Sequence, residues 1–244
     1  MDLQSSYLDS LEIYATDPFA LALSKSFSRI RNLRFKRLFA LKSEWDIILL
    51  ASQTLTTLDL TSHSECKFRL DIASQLWYTH DKILPDEARV LYDWLKDFPF
   101  DLGRLPALRH LKIQLQILPE HNFLMFSFLN SLLSIDSSSS SPSGIETLDL
   151  EIIWHSLDSE DEITDLFASG GEWRWDTLDN VLTSEMFPCL REVVLDFGLK
   201  VHDWDHNSGY DNLALSYVND LFPMLRRGDR TLETHVKIQR RLQI

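Results

Sequence analysis

The octet Ile145-Glu-Thr-Leu148-Asp-Leu150-Glu-Ile152 restricts the fold more than any other stretch, because its pattern returns along nearly the whole chain. It spells apolar-x-x-Leu-x-Leu. Further copies begin at Leu8, Ile30, Leu55, Leu108 and Leu190, and a worn one begins at Leu232. Alternation within Leu-x-Leu sends both leucines to one side of an extended strand and the intervening residue to the other. A lone strand cannot bury such a side. Stacked neighbours can, by sharing one continuous core.

The segments between copies read mostly as helices. Asp17-Pro18 is a helix start, followed by an apolar stripe of Phe19, Leu23 and Phe27. Ser43-Glu-Trp-Asp46 approximates a capping box, before Ile47, Ile48 and Leu50. Helices are also expected from Pro85 to Phe98, from Asn122 to Leu133, from Asp176 to Met186 and from Asp211 to Arg227, the last closed by Gly228. Strand–helix alternation of this kind predicts an α/β fold. Its expected form is an irregular leucine-rich-repeat solenoid, with a parallel sheet on one face and helices on the other, spanning residues 1–244 as a single domain.

The spacing is uneven. Central leucines lie 22 residues apart (33 − 11) and then 25 apart (58 − 33), within the range of leucine-rich repeats. The next interval is 53 residues (111 − 58), which reads as an insertion holding an extra strand at Phe68, Leu70 and Ile72. The consensus asparagine or cysteine, five positions after the central leucine, is replaced by Thr16, Leu38, His63, Gln116, Ile153 and Gly198. A regular asparagine ladder is therefore excluded. Residues 136–144 form a Ser-rich, low-complexity loop expected to be flexible, and Asp158 to Glu162 reads as an acidic loop before the break at Gly170-Gly171. The last strand, Leu232 to Ile238, is expected in a shifted register at a capping end.

Bulk properties narrow the function classes. A formal net charge of -13 repels phosphate backbones, so nucleic acid is not an expected partner. No run of about 18 apolar residues and no basic-then-apolar start is present, which predicts neither a membrane span nor a signal peptide. The expected location is intracellular, cytoplasmic or nuclear. The two cysteines, Cys66 and Cys189, make neither a disulfide framework nor a zinc motif and are expected as small core residues.

Chemistry-bearing clusters are few. His202-Asp203-Trp-Asp205-His206 offers two imidazoles and two carboxylates to a divalent metal, which would make the chain a metal-dependent hydrolase. A polar loop is the preferred alternative, since no recognised metal motif accompanies the segment. Trp154, Trp173, Trp175 and Trp204 follow neighbouring strands and form either an aromatic anchor at one rim or a plug in the core. No glycine-rich phosphate loop, Gly-x-Ser-x-Gly elbow or Cys-x-x-Cys is present, so no cofactor and no enzymatic activity are expected.

The outward strand positions make the best binding surface. Asn32, Arg34 and Lys36 come first, then Thr57 and Asp59, and then His110 and Lys112. Thr147, Asp149 and Glu151 follow, with Glu192 and Asp196 last. The face should grade from basic to acidic and orient a protein partner of opposite polarity.

The phrases Leu108-Arg-His-Leu-Lys-Ile113, Ile145-Glu-Thr-Leu-Asp-Leu150 and Phe187-Pro-Cys-Leu-Arg-Glu-Val193 resemble the leucine-rich regions of fungal F-box-like proteins, notably those of mushroom-forming fungi. The resemblance implies substrate recognition for a ubiquitin ligase, with an F-box docking on a Skp–cullin assembly. Here a repeat-like strand already begins at Leu8, so the chain reads as the repeat region alone, and contact with Skp and cullin would require an F-box supplied elsewhere. A degenerate remnant without present function is the remaining alternative.

Overall fold

The computed structural model describes residues 9–13, 29–35, 41–61, 102–117, 133, 142–157, 160–167, 175–202, 214, 216–218 and 220–241. Every copy of the leucine pattern within them is a strand. These are β1 (Ser10–Ile13), β2 (Asn32–Phe35), β3 (Thr57–Thr61), β4 (His110–Ile117), β5 (Thr147–Leu157), β6 (Glu192–His202) and β7 (Thr231–Arg241). They form one open sheet in the order β1-β2-β3-β4-β5-β6-β7, and every neighbouring pair is parallel.

Sequential parallel order has a geometric consequence. Crossovers between parallel strands are almost always right-handed, so stepping always in one direction calls for the described helices to share one face. The core agrees: Leu33, Leu58, Leu111, Leu148 and Val193 stand in register across neighbouring strands and are 0–1% exposed. Helix residues Trp45, Ile48, Ile163, Leu178 and Leu225 belong to the same continuous apolar cluster. Among the described residues, the α-helices with described ends are α1 (Leu41–Leu50), α2 (Glu160–Phe167), α3 (Trp175–Thr183) and α4 (Pro223–Arg227), and residues 133, 214, 216–218 and 220 are also helical. None is long and apolar enough to cross a membrane.

Register is set by the main chain at the strand entries rather than by an asparagine ladder. The Asp9 carbonyl accepts from the N–H groups of Arg31 and Asn32, and the Arg31 carbonyl accepts from Thr56 and Thr57. The Thr56 carbonyl accepts from Arg109 and His110, that of Arg109 from Glu146 and Thr147, and that of Glu146 from Arg191 and Glu192. The Arg191 carbonyl accepts from Thr231. Each entry thereby satisfies backbone donors of the next, whatever lies between.

The direct β3–β4 pairing accords with an insertion in the 53-residue interval, while the extra strand expected at Phe68–Ile72 and the helices expected near Asp17 and Pro85 lie outside the described residues. Several other expectations are corrected. Leu232 pairs with Val193 and so takes the central-leucine position, with Asp229 where the first apolar residue belongs. The seventh copy is thus in register, not shifted. Strands β5 and β6 each run for 11 residues, past Ile153 and Gly198, which therefore sit inside strands where a consensus asparagine would turn the chain.

The acidic run expected as a loop turns helical at Glu160, because Ile163, Leu166 and Phe167 supply a buried i, i+3, i+4 face beneath the charges. The long helix expected to Arg227 is interrupted, since Pro223 cannot donate within a helix and α4 restarts at it. Leu50 is 39% exposed rather than inward: it lies two residues beyond Ile48, about 200° round the helix, and Trp45 takes the core instead. Cys189 is exposed, because Leu190 fills the apolar position beside it; Cys66 lies outside the described residues. In the Ser-rich segment, residues 136–141 lie outside the described set, whereas Ser143 is buried and its N–H donates to the Met186 carbonyl.

Candidate functional site: the outer face of the sheet

Because the leucines point to the helices, the residues between them form a second face that no described helix covers. Strand register places these residues in rows that run across the sheet. One row reads Glu12, Arg34, Asp59, Lys112, Asp149, Val194, Glu233. Its first five members alternate in charge, strand by strand. The neighbouring rows are Thr61, Gln114, Glu151, Asp196, His235 and Gln116, Ile153, Gly198, Lys237.

The alternation is expressed as lateral contacts. Arg34 Nε donates to Asp59 Oδ2 at 2.6 Å, and Lys112 Nζ to Asp149 Oδ2 at 2.8 Å. Gln114 Nε2 donates to Glu151 Oε2 at 2.8 Å, and His235 Nδ1 lies 2.8 Å from Asp196 Oδ1. The hydrogen bond to Asp149, with the charges of Asp149, Asp59 and Glu151, raises the Lys112 pKa above its ordinary value of 10.5 despite partial burial. Oδ1 of Asp59 and of Asp149 are shielded from solvent with no hydrogen-bond partner among the described residues, so these carboxylates depend on their neighbouring cations.

Of the residues expected on this face, Arg34, Asp59, His110, Lys112, Asp149, Glu151 and Asp196 all occupy outward rows. Lys36 lies outside the described residues. The expected basic-to-acidic gradient is corrected in its first half. Among the described residues, Arg34 and Lys112 are matched by Glu12 and Asp59, so β1–β4 are balanced there, and net acidity begins at β5 with Asp149 and Glu151. Glu192, Asp196 and Glu233 continue it, against Lys200, Lys237 and His235.

Glu12, Gln114, Glu233 and His235 are outside the expected set, although alternation alone offers Glu12 and Gln114. Aligning Leu232 with Val193 would have placed Glu233 beside Val194 and His235 beside Asp196. Gly198 also belongs here, because a Cβ at that position would stand 3.1 Å from Ile153 Cγ1. The missing side chain lets Ile153, 9% exposed, lie over the neighbouring strand.

The other clusters resolve differently. Trp154 and Trp175 belong to the core: Trp154 stacks on Phe197 at 5.9 Å and meets Phe167 edge-on at 5.9 Å, while Trp175 meets Phe197 edge-on at 5.6 Å. Trp175 Nε1 also donates to the Leu166 carbonyl at 2.7 Å. Trp173 and Trp204 lie outside the described residues. His202 ends β6 rather than opening a loop; Asp203, Asp205 and His206 lie outside the described residues, and no group of metal-ligating side chains is assembled among the described ones.

At the strand-entry rim, Arg104, Arg109, Glu146 and Cys189 line an open groove of about 600 Å³. Arg109 is committed within it. It donates to the carbonyls of Pro106, Leu108 and Gly144 and lies 3.4 Å from Glu146 Oε1. In comparisons with known proteins, no family model, no curated protein and no solved structure matches this chain.

Proposed function

We propose that the chain is an irregular leucine-rich-repeat solenoid that acts without catalysis, by binding a protein through the outer face of its sheet. The observation that carries this reading is the charged row from Glu12 to Asp149. Lateral ion pairs hold its side chains in fixed positions, so a partner meets a preorganised pattern and loses less side-chain entropy on binding. Exposed pairs of this sort add little to stability, typically about 0–1 kcal/mol each, so recognition is the stronger reason for such an ordered row. By its resemblance to F-box-like repeats, the partner is a substrate protein, and Skp–cullin contact requires an F-box supplied elsewhere. Acidic β5–β7 favour a partner whose complementary patch is basic.

The test is capture of lysate proteins on the immobilised chain, with a Lys112→Asp/Asp149→Lys swap and an Asp165→Lys control on the helical side. The swap keeps an ion pair between β4 and β5 while inverting the pattern. A protein retained by the wild type and the control but released by the swap supports the proposal. Empty capture, or equal retention by the folded swap, overturns it.

A further inference from the structure

Among the described strands β7 is the last of the sheet, and its core-side residues are less covered than those of β6. Leu232, Val236 and Ile238 are only partly buried, whereas their register partners on β6, Val193, Phe197 and Leu199, are 0–1% exposed. The same strand has no described neighbour on its outer side. The Thr231 N–H donates to the Arg191 carbonyl, so Thr231, Glu233, His235 and Lys237 turn their backbone groups towards β6. Leu232, Thr234, Val236 and Ile238 therefore turn theirs to the open edge. An edge of this length is a template for another strand.

The order of residues along β7 selects the occupant. Antiparallel pairing of two β7 strands about a two-fold axis at His235 sets Glu233 opposite Lys237 of the second copy, and Lys237 opposite Glu233. On the core side, it sets Leu232 opposite Ile238 and Thr234 opposite Val236. The Thr234–Val236 and Leu232–Ile238 positions are those whose backbone groups face outward, so they exchange the hydrogen bonds. Glu233 and Lys237 fall at the intervening non-hydrogen-bonded positions, where opposing side chains approach most closely.

Among such two-fold registers, only the one centred on His235 opposes Glu233 to Lys237; a slip that moves the axis to Val236 brings His235 against Lys237, and one that moves it to Thr234 sets Glu233 against His235 and leaves Lys237 against Thr231. All four side chains that carry the match along the outer face, two Glu233 and two Lys237, are exposed in the single chain.

We infer that β7 is a self-complementary edge through which two copies of this chain join their sheets antiparallel about a two-fold axis at His235. This isologous contact is independent of whether the outer face binds a protein. It covers the half-exposed apolar residues of β7 and makes one sheet of fourteen strands from the seven of each copy. A shared edge strand is a modest interface, so association is expected at micromolar rather than nanomolar concentrations.

The experiment is sedimentation velocity of the full chain over a concentration series, with wild type, Glu233→Lys and Lys237→Glu proteins whose folding is checked by circular dichroism. The wild type should move from the 28.4 kDa monomer to a species of twice that mass as concentration rises. Each single variant opposes like charges twice and should weaken dimerisation at least tenfold. An equimolar mixture of the two variants restores both pairs and should form a heterodimer with near wild-type affinity. Slowed exchange of the Thr234 and Val236 amides in the dimer completes the signature. A wild type that stays monomeric overturns the inference, as would single variants that dimerise unchanged or a mixture that fails to recover.

Discussion

Replacing Asp179 by alanine should destabilise the fold by about 3 kcal/mol, a large effect for one carboxylate on a nine-residue helix. Asp179 is 2% exposed on α3, and its two oxygens accept from the N–H groups of Met224 at 2.8 Å and Leu225 at 2.9 Å. Those donors are the free first-turn amides of α4, for which Phe222 supplies no side-chain cap. The carboxylate therefore caps one helix from the body of another. Hydrogen bonds to a charged acceptor contribute about 1.5–3 kcal/mol each.

The two donors differ once the acceptor is gone. Met224 is 47% exposed, so water can reach its part of the helix and offset much of the loss. Leu225 is fully buried, and its amide is left with the full desolvation penalty. Relief of carboxylate burial offsets part of the total, which leaves the figure of about 3 kcal/mol. Asp179→Asn retains one side-chain oxygen and should lose about half as much.

The assay is urea unfolding followed by tryptophan fluorescence, with Asp165→Ala as an exposed control that should change stability by less than about 0.5 kcal/mol. For a chain of this length the alanine variant should also melt roughly 6–12 °C lower. Amide exchange at Leu225 should accelerate in the same variant. A loss below about 0.5 kcal/mol, or an unchanged Leu225 exchange rate, would refute the cross-helix cap.

The Lys112 pKa is raised in the folded protein, so its stabilising contribution is complete below its ordinary value of 10.5 and disappears as pH rises through the folded value. Lys112→Met should therefore cost about 1 kcal/mol at neutral pH and nothing once the wild-type amine is deprotonated, read by urea midpoints along a pH series; a constant difference would contradict the pairing with Asp149. Gly198→Val should cost about 1–3 kcal/mol by displacing Ile153, and adding Ile153→Ala should recover part of it; strictly additive losses in thermal melts would show that the two positions do not touch.

The strands were legible because the leucine spacing encodes both their position and their buried side. Their lengths were not. Trp154 resembles a rim residue and Gly198 a breaker, yet both continue strands because aromatic packing and the Ile153 contact hold them. Register failed only at β7, where Asp229 and Thr234 replace the apolar residues that mark other copies. The individual outward residues could be read from alternation alone. Their pairing could not, because Arg34 meets Asp59 and Lys112 meets Asp149 only once the order of strands is known. Charge also concealed α2, whose acidic first turn suits the positive end of a helix while hiding its apolar face.

Strand order that equals chain order has a consequence for synthesis. Each described strand after β1 docks on a neighbour already emerged from the ribosome. The chain can therefore assemble in the direction of translation, adding one strand to a completed edge at a time, with loop closure limited to the interval between neighbouring copies. A nascent chain stalled after β5 should already protect the β4–β5 amides, while the strands still to be made leave its growing edge exposed.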